Sequence, residues 1–256
     1  MAQLRSSNPV FTSPAFRQQA PTPDQLRDIT GMDRRLTLDD VVVHTGGLLL
    51  VLVLAGAVGW AITPDTGAVP GVAIAAMFVG FGLGLAGALL RRIPPAVAIG
   101  YSVAEGVFLG AISKSYSSFY SGIVPQALLG TVAIFFVMLA LHRSGRFVAT
   151  PRVARIVVGA ALGAVVLSLV NLLLAGFGGA SLPGFSGSGP LALIVGFAFL
   201  VIGAVFFTLD FAFVEQAIGL RAPASEAWRL AFGLVLSIVW VYLSLLRVLS
   251  ILQGRN

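Results

Sequence analysis

Seven apolar stretches of about 20 residues, the length that crosses about 30 Å of hydrocarbon, recur along this chain with short polar breaks between them. Lipid offers no water to satisfy a backbone, so each stretch must hydrogen-bond within itself as a helix or join a closed barrel. Barrel strands are about ten residues long and alternate in polarity, whereas these segments are twice as long and apolar all round. The expected fold class is therefore all-α, a polytopic membrane protein built as a seven-transmembrane-helix bundle. The spans run from about Val41 to Ile62, Val69 to Leu90, Ala96 to Ser113, Ile123 to Leu141, Ile156 to Phe177, Leu191 to Ile218 and Trp228 to Ile251. Composition agrees, at 57% hydrophobic and 10% charged residues with a mean hydropathy of +0.97.

Residues 1–36 read as a disordered cytoplasmic tail, polar and interrupted by Pro9, Pro14, Pro21 and Pro23. The tail lacks the apolar core and small-residue cleavage site of a signal peptide. Residues 37–256 form the transmembrane domain, with Thr37 and Asp40 spaced as a capping box that starts its first helix.

Loop charge predicts the orientation. With the amino terminus inside, thirteen basic residues fall on the cytoplasmic side: Arg5, Arg17, Arg27, Arg34, Arg35, Arg91, Arg92, Arg143, Arg146, Arg152, Arg155, Arg221 and Arg229. Only Lys114, Arg247 and Arg255 fall outside. Positive-inside bias then gives a multi-pass plasma-membrane protein with its amino terminus cytoplasmic and its carboxyl terminus outside. Because these arginines flank spans rather than line up with aromatics, the pI of about 10.7 calls for no nucleic-acid partner. The expected surroundings are the lipid bilayer, cations and protons. The absence of cysteine removes disulfides, thiolate metal sites and thiol catalysis.

Gly80 and Gly84, Gly106 and Gly110, and Gly159 and Gly163 are small-xxx-small pairs, read as close packing within one bundle. His44 and His142 fit the inner interface, Trp240 and Tyr242 the bundle core, and Asn171 an interhelical hydrogen bond.

Acidic residues carry the chemistry. Seven of the ten lie in the tail, at a helix start or in loops, leaving Glu105, Asp210 and Glu215 in apolar segments. A carboxylate in hydrocarbon costs about 2.5 to 3.5 kcal/mol on insertion scales, so such a group marks an ion or proton pathway. At 1.5 Å per residue, Glu105 stands about 15 Å above the inner start of the third helix and Asp210 about 13 Å above the inner turn, a shared level near the membrane middle. Glu215 lies about 8 Å nearer the cytoplasm than Asp210 and about 140° around the helix, where a snorkelling or capping role fits equally well. The last two helices form an antiparallel hairpin, so residues equally far from its turn lie at one depth, and Asp210 faces Ser237. The hydroxyl there is placed to donate to the carboxylate or to sit beside a cation. Desolvation favours the neutral form of a carboxyl group, which makes its protonation a switch: ionised, it attracts Ser237, Arg247 or a cation, and neutral, it releases them. Oxygen ligands suit calcium, with Asp210 and Glu105 as its ligands, and equally sodium or a proton. No resident cofactor is expected, calcium being cargo.

Further along the same residues, Leu209-Asp210 followed by Glu215-Gln216-Ala217-Ile218, Leu236-Ser237-Ile238 ending in Leu246-Arg247-Val248-Leu249, and Glu105-Gly106-Val107-Phe108-Leu109-Gly110 occur in order on three of the helices. Arg5-Ser6-Ser7-Asn8-Pro9-Val10 opens the chain. With these motifs the sequence resembles the Bax inhibitor-1 (transmembrane Bax inhibitor motif) membrane proteins, in a bacterial branch with a long amino-terminal tail. The resemblance covers about residues 37–252. It implies a seven-helix fold with the last helix central, and a proton-sensitive calcium leak in which two aspartates on the sixth and seventh helices sense pH. Asp210 matches the first aspartate. Ser237 replaces the second, leaving Glu105 as the only deep acid for a pair, and Arg247 matches the family's arginine near the end of the last helix.

Two functions follow. One is a leak channel for cations, calcium foremost, gated by Asp210 with Glu105 and Ser237 as partners. The other is a non-conducting regulatory protein that binds a membrane protease or another membrane-protein partner; the oligomeric state stays open. A retinal photoreceptor would need a lysine inside the bundle, and the sole lysine, Lys114, lies at a helix end. Intramembrane hydrolysis would need a metal-ligand spacing or an aspartyl dyad, and neither occurs. No enzymatic activity is expected.

Overall fold

The computed structural model describes residues 34–66, 68–90, 92–145, 150–185, 187 and 189–254. The tail expected over 1–36 therefore lies, up to residue 33, outside the described residues. Among the described residues, seven helices are long and apolar enough to cross a membrane. They are α1 (Leu38–Ile62), α2 (Gly71–Leu89), α3 (Pro95–Phe119), α4 (Ile123–Arg143), α5 (Pro151–Gly178), α6 (Pro190–Gly219) and α7 (Ala227–Gln253), with a 3-10 turn at Ala224–Glu226 before α7.

Local chemistry fixes the helix starts. The Thr37 hydroxyl accepts from the Asp40 amide at 3.2 Å while the Asp40 carboxylate accepts from the Thr37 amide at 3.0 Å, the reciprocal box that the spacing predicted. Helices α3, α5 and α6 open on Pro95, Pro151 and Pro190, at the position where a missing amide leaves no helical bond unmade. Two boundaries differ from the hydropathy reading. Helix α3 continues past Ser113 to Phe119 because Lys114, Ser115 and Ser118 lower hydropathy without breaking the helix, and no glycine or proline intervenes before Gly122. Helix α5 starts at Pro151 rather than near Ile156, since Thr150 caps it and the polar Arg152 and Arg155 occupy its first turns.

Helix α7 is the hub. Buried residues make up 67% of an 18-residue apolar stretch of it, against 11% in the corresponding stretches of α1 and α5, and it packs on α1, α2, α3, α4 and α6. One side of α7 presents Phe232, Val235, Val239, Tyr242 and Leu246 to Leu48, Tyr101 and Leu109. The other presents Leu230, Leu234 and Val241 to Phe207, Phe211 and Met138. Outward-facing residues such as Leu129, Phe177 and Ile194 remain exposed, an apolar surface that requires lipid.

The glycine pairs divide by role. Parallel helices α1 and α3 touch backbone to backbone: a Cβ at Gly110 would collide with the Gly56 carbonyl, and one at Gly59 with the Val107 carbonyl. Gly80 and Gly84 of α2 seat Glu105 and Tyr101 of α3. Gly159 and Gly163 do not pack within the bundle as expected; a Cβ added at either would meet no atom of another helix within 4 Å among the described residues, because α5 rests mainly on α6 and turns these glycines outward.

At the end of the bundle that carries the α2–α3, α4–α5 and α6–α7 connections, the chain entering α1 pairs with the α6–α7 turn. Leu36 donates to the Ala222 carbonyl at 2.8 Å, Ala224 donates to the Arg34 carbonyl at 2.9 Å, and Arg35 and Pro223 form an antiparallel bridge. Arg34 also pairs with Asp40. We call this the arginine-bearing end.

Candidate functional site

Asp210 occupies the third quarter of α6, facing α7. The Ser237 hydroxyl donates to its Oδ2 at 2.5 Å, the contact that counting outward from the α6–α7 turn predicts. Gly233, one turn earlier on α7, leaves room for the carboxylate; a Cβ there would stand 3.4 Å from Oδ1. The side chain is half-buried rather than sealed, because it borders a half-open cavity of about 220 Å³ between the ends of α2, α6 and α7. Gly87, Ile93, Phe213, Phe232 and Leu236 supply apolar wall, and Arg229 supplies the other charge. Thr208, two residues before Asp210, is buried with its hydroxyl unpartnered.

Glu105 is buried on α3 against Gly80 of α2. No hydrogen bond or ion pair joins it to Asp210 among the described residues. The packing register separates them in depth: Gly84 meets both Tyr101 and Leu236, and Glu105 lies one turn further from the arginine-bearing end than that layer. Asp210 sits between Gly233 and Ser237, so Glu105 lies about 7 Å beyond it along the bundle axis. The shared level read from the sequence thus becomes an offset of about one turn. Among the described residues, no three His, Asp or Glu side chains cluster to hold a metal ion.

Arg247 belongs elsewhere. Its Nη2 donates to the Gly184 carbonyl at 2.5 Å, and its guanidinium lies 5.0 Å and 5.8 Å from the ring centres of Phe185 and Phe199. Ten residues beyond Ser237, about 15 Å along α7, it anchors the α5–α6 loop and does not approach Asp210. The aromatic cage and the carbonyl satisfy the cation, where the sequence leaves open a pairing with an acid or a reach to the outer interface. Glu215 is exposed and its Oε2 meets His142 Nε2 at 3.1 Å, tying the end of α6 to the end of α4 outside the Asp210 cavity. That pair is ionic only while the imidazole is protonated. His142 is thus a tertiary contact as well as a residue near the interface.

Other polar spans are structural. Asn171 accepts from the Leu182 amide at 2.8 Å, a bond to the α5–α6 loop instead of the interhelical one expected. Trp240 donates from Nε1 to the Phe199 carbonyl at 2.8 Å, and Tyr242 shares a 2.6 Å hydrogen bond with Ser113. Both therefore act in the core. The residue that sequence reasoning missed is Arg229, counted there only as a topological charge. Its signal was the i, i+4 spacing to Gly233, which puts Arg229 on the face of α7 that Asp210 meets.

These features define a polytopic helical membrane protein in which a central last helix supports an intramembrane carboxylate beside a cavity. The family described as Bax inhibitor 1 like matches residues 8–254, and the chain belongs to it. No curated protein matches the sequence.

Proposed function

We propose that this chain is a proton-sensitive cation leak of the plasma membrane, with calcium as the conducted ion and Asp210 as the gating group. One observation carries the reading: a carboxylate inside a span, given one hydroxyl donor and, among the described residues, no ion pair, forms part of the wall of a half-open cavity. Buried charges are as a rule paired or bound to a metal ion, so a carboxylate with neither is free to exchange a proton or a cation. With Ser237 where a second aspartate is implied, one carboxyl does the switching. Ionised, it accepts from Ser237 and holds a cation; neutral, it loosens α6 from α7. Glu105, one turn further along, is the next oxygen station. Loop arginines orient the protein with the arginine-bearing end in the cytoplasm.

Purified protein in liposomes loaded with a calcium dye tests this. Calcium enters with wild type at a rate that varies between pH 6 and 8, and Asp210→Asn flattens that variation. A silent wild type, or one whose pH profile Asp210→Asn reproduces, ends the proposal.

A second reading, a non-conducting regulator of a membrane protease or another membrane protein, draws support from α5, which rests mainly on α6 and turns Gly159 and Gly163 outward. Silent flux together with recovery of a membrane partner that Asp210→Asn leaves unchanged would favour it.

A further inference from the structure

The cavity beside Asp210 contains two charges of opposite sign, and the second has no part in the gating just described. Arg229 stands on the first turn of α7, half-exposed, with its Nε donating to Glu226 Oε2 at 2.6 Å. Gly233, which faces Asp210, is one turn further along α7, so Arg229 borders the cavity about 6 Å nearer the arginine-bearing end along the helix axis than the residue that meets the carboxylate. Among the described residues no other charged side chain borders the cavity: the rest of that wall is glycine, alanine, leucine, isoleucine and phenylalanine. In a narrow apolar vestibule one fixed charge governs which ions enter, since low-dielectric walls focus its field. A bare arginine would repel cations. Glu226, held against it from the 3-10 turn, offsets that charge and makes the pair adjustable.

We propose that the Arg229–Glu226 pair is the charge filter of this cavity, a specificity-determining element that sets how readily small cations, as against anions, reach Asp210. The proposal rests on the leak reading for its purpose, but its test does not require conduction. Arg229 limits cation entry and Glu226 relieves that limit, so the two residues act with opposite sign.

The chain contains no cysteine, so one introduced thiol reports on the cavity alone. Ala88 borders it and tolerates a small change. In the full-length protein in liposomes, Ala88→Cys is labelled with a cationic and an anionic methanethiosulfonate of similar size, and the ratio of the two rates is taken. A unit charge across such a cavity, on the order of 6 to 10 Å away in water, changes each rate about two- to threefold in opposite directions. Arg229→Gln should therefore raise the cationic-to-anionic ratio about four- to tenfold, Glu226→Gln should lower it, and Arg229→Lys, which keeps the charge, should leave it near the parent value. An unchanged ratio in Arg229→Gln overturns the proposal, as does a shift of equal size in Arg229→Lys, which would make shape the cause. An unreactive Ala88→Cys thiol also overturns it, because a cavity closed to water-borne ions offers nothing to filter. Calcium flux in the same liposomes separates the two readings. Silent wild type with a shifted ratio removes the leak and keeps the filter; conducting wild type with ratio and flux unmoved by Arg229→Gln removes the filter and keeps the leak.

Discussion

Ser237 and Asp210 meet because each is about equally far from the turn between α6 and α7, and among the described residues the serine is the only hydrogen-bond donor to that carboxylate. Ser237→Ala leaves the acid without its donor, at a cost of about 1.5 to 3 kcal/mol for a hydrogen bond to a charged group. Detergent unfolding of the variant should show a lower midpoint above neutrality, with the loss shrinking as Asp210 becomes neutral on acidification. A loss of equal size at every pH would mean that the carboxyl never changes charge. Trp240 and Gly203 make a second local test. A Cβ at Gly203 would lie 2.6 Å from Trp240 Cδ1 and 2.8 Å from Val241 Cγ2, so Gly203→Ala should destabilise by about 1 to 3 kcal/mol through overpacking. At the opposite end, Lys114 hydrogen-bonds Asp65 at 2.5 Å and holds that carboxyl below its ordinary value of 3.8. A depressed folded value means the contribution exists above that ordinary value and disappears as pH falls through the folded one. Asp65→Asn should therefore lower the melting temperature only slightly at neutral pH, since the side chain is exposed, and the difference from wild type should close in strong acid. At this scale the Asp210–Ser237 contact was legible because hairpin counting needs only a turn position. Arg247 was not: its partners are a loop carbonyl and two rings brought near only by tertiary folding.

Among elements, the α1–α3 contact is the closest in the bundle, and its tolerance for side chains is the sharpest contrast available. Gly110→Val has to displace the α1 backbone at Gly56 and should cost at least about 2 kcal/mol, visible as a lowered unfolding midpoint in detergent. Gly159→Val has the same spacing signature and open surroundings, so it should leave that midpoint unchanged. Both pairs looked alike in the sequence, because spacing reports the possibility of close approach and says nothing about which neighbour arrives. Helix ends were legible where caps and prolines marked them, as at Thr37, Pro95 and Pro190. They were misread where polar residues continued a helix, as in α3 after Ser113, because hydropathy measures depth in lipid rather than backbone conformation.

For the whole molecule, the count of seven spans follows from the repeated length of apolar segments, yet the place of α7 does not. Its hydropathy of 2.2 equals that of α2 and α4, while its 18-residue apolar stretch is 67% buried against 17% and 22% in theirs. Lipid and protein interior are equally apolar, so hydropathy does not separate a helix wrapped by neighbours from one wrapped by acyl chains. The clue lay in the polar residues that α7 spends inside the span, Ser237, Ser244 and Ser250, each with a hydrogen-bond partner. With α7 at the centre, a change at Asp210 reaches a helix that packs on five others, which is how one proton could alter the whole bundle. The direct measurement is difference infrared spectroscopy of the reconstituted protein between pH 6 and 8, reading the carbonyl stretch of protonated carboxyl groups. The account predicts a band that appears on acidification in wild type and is missing from Asp210→Asn; an identical difference spectrum in the two proteins would contradict it.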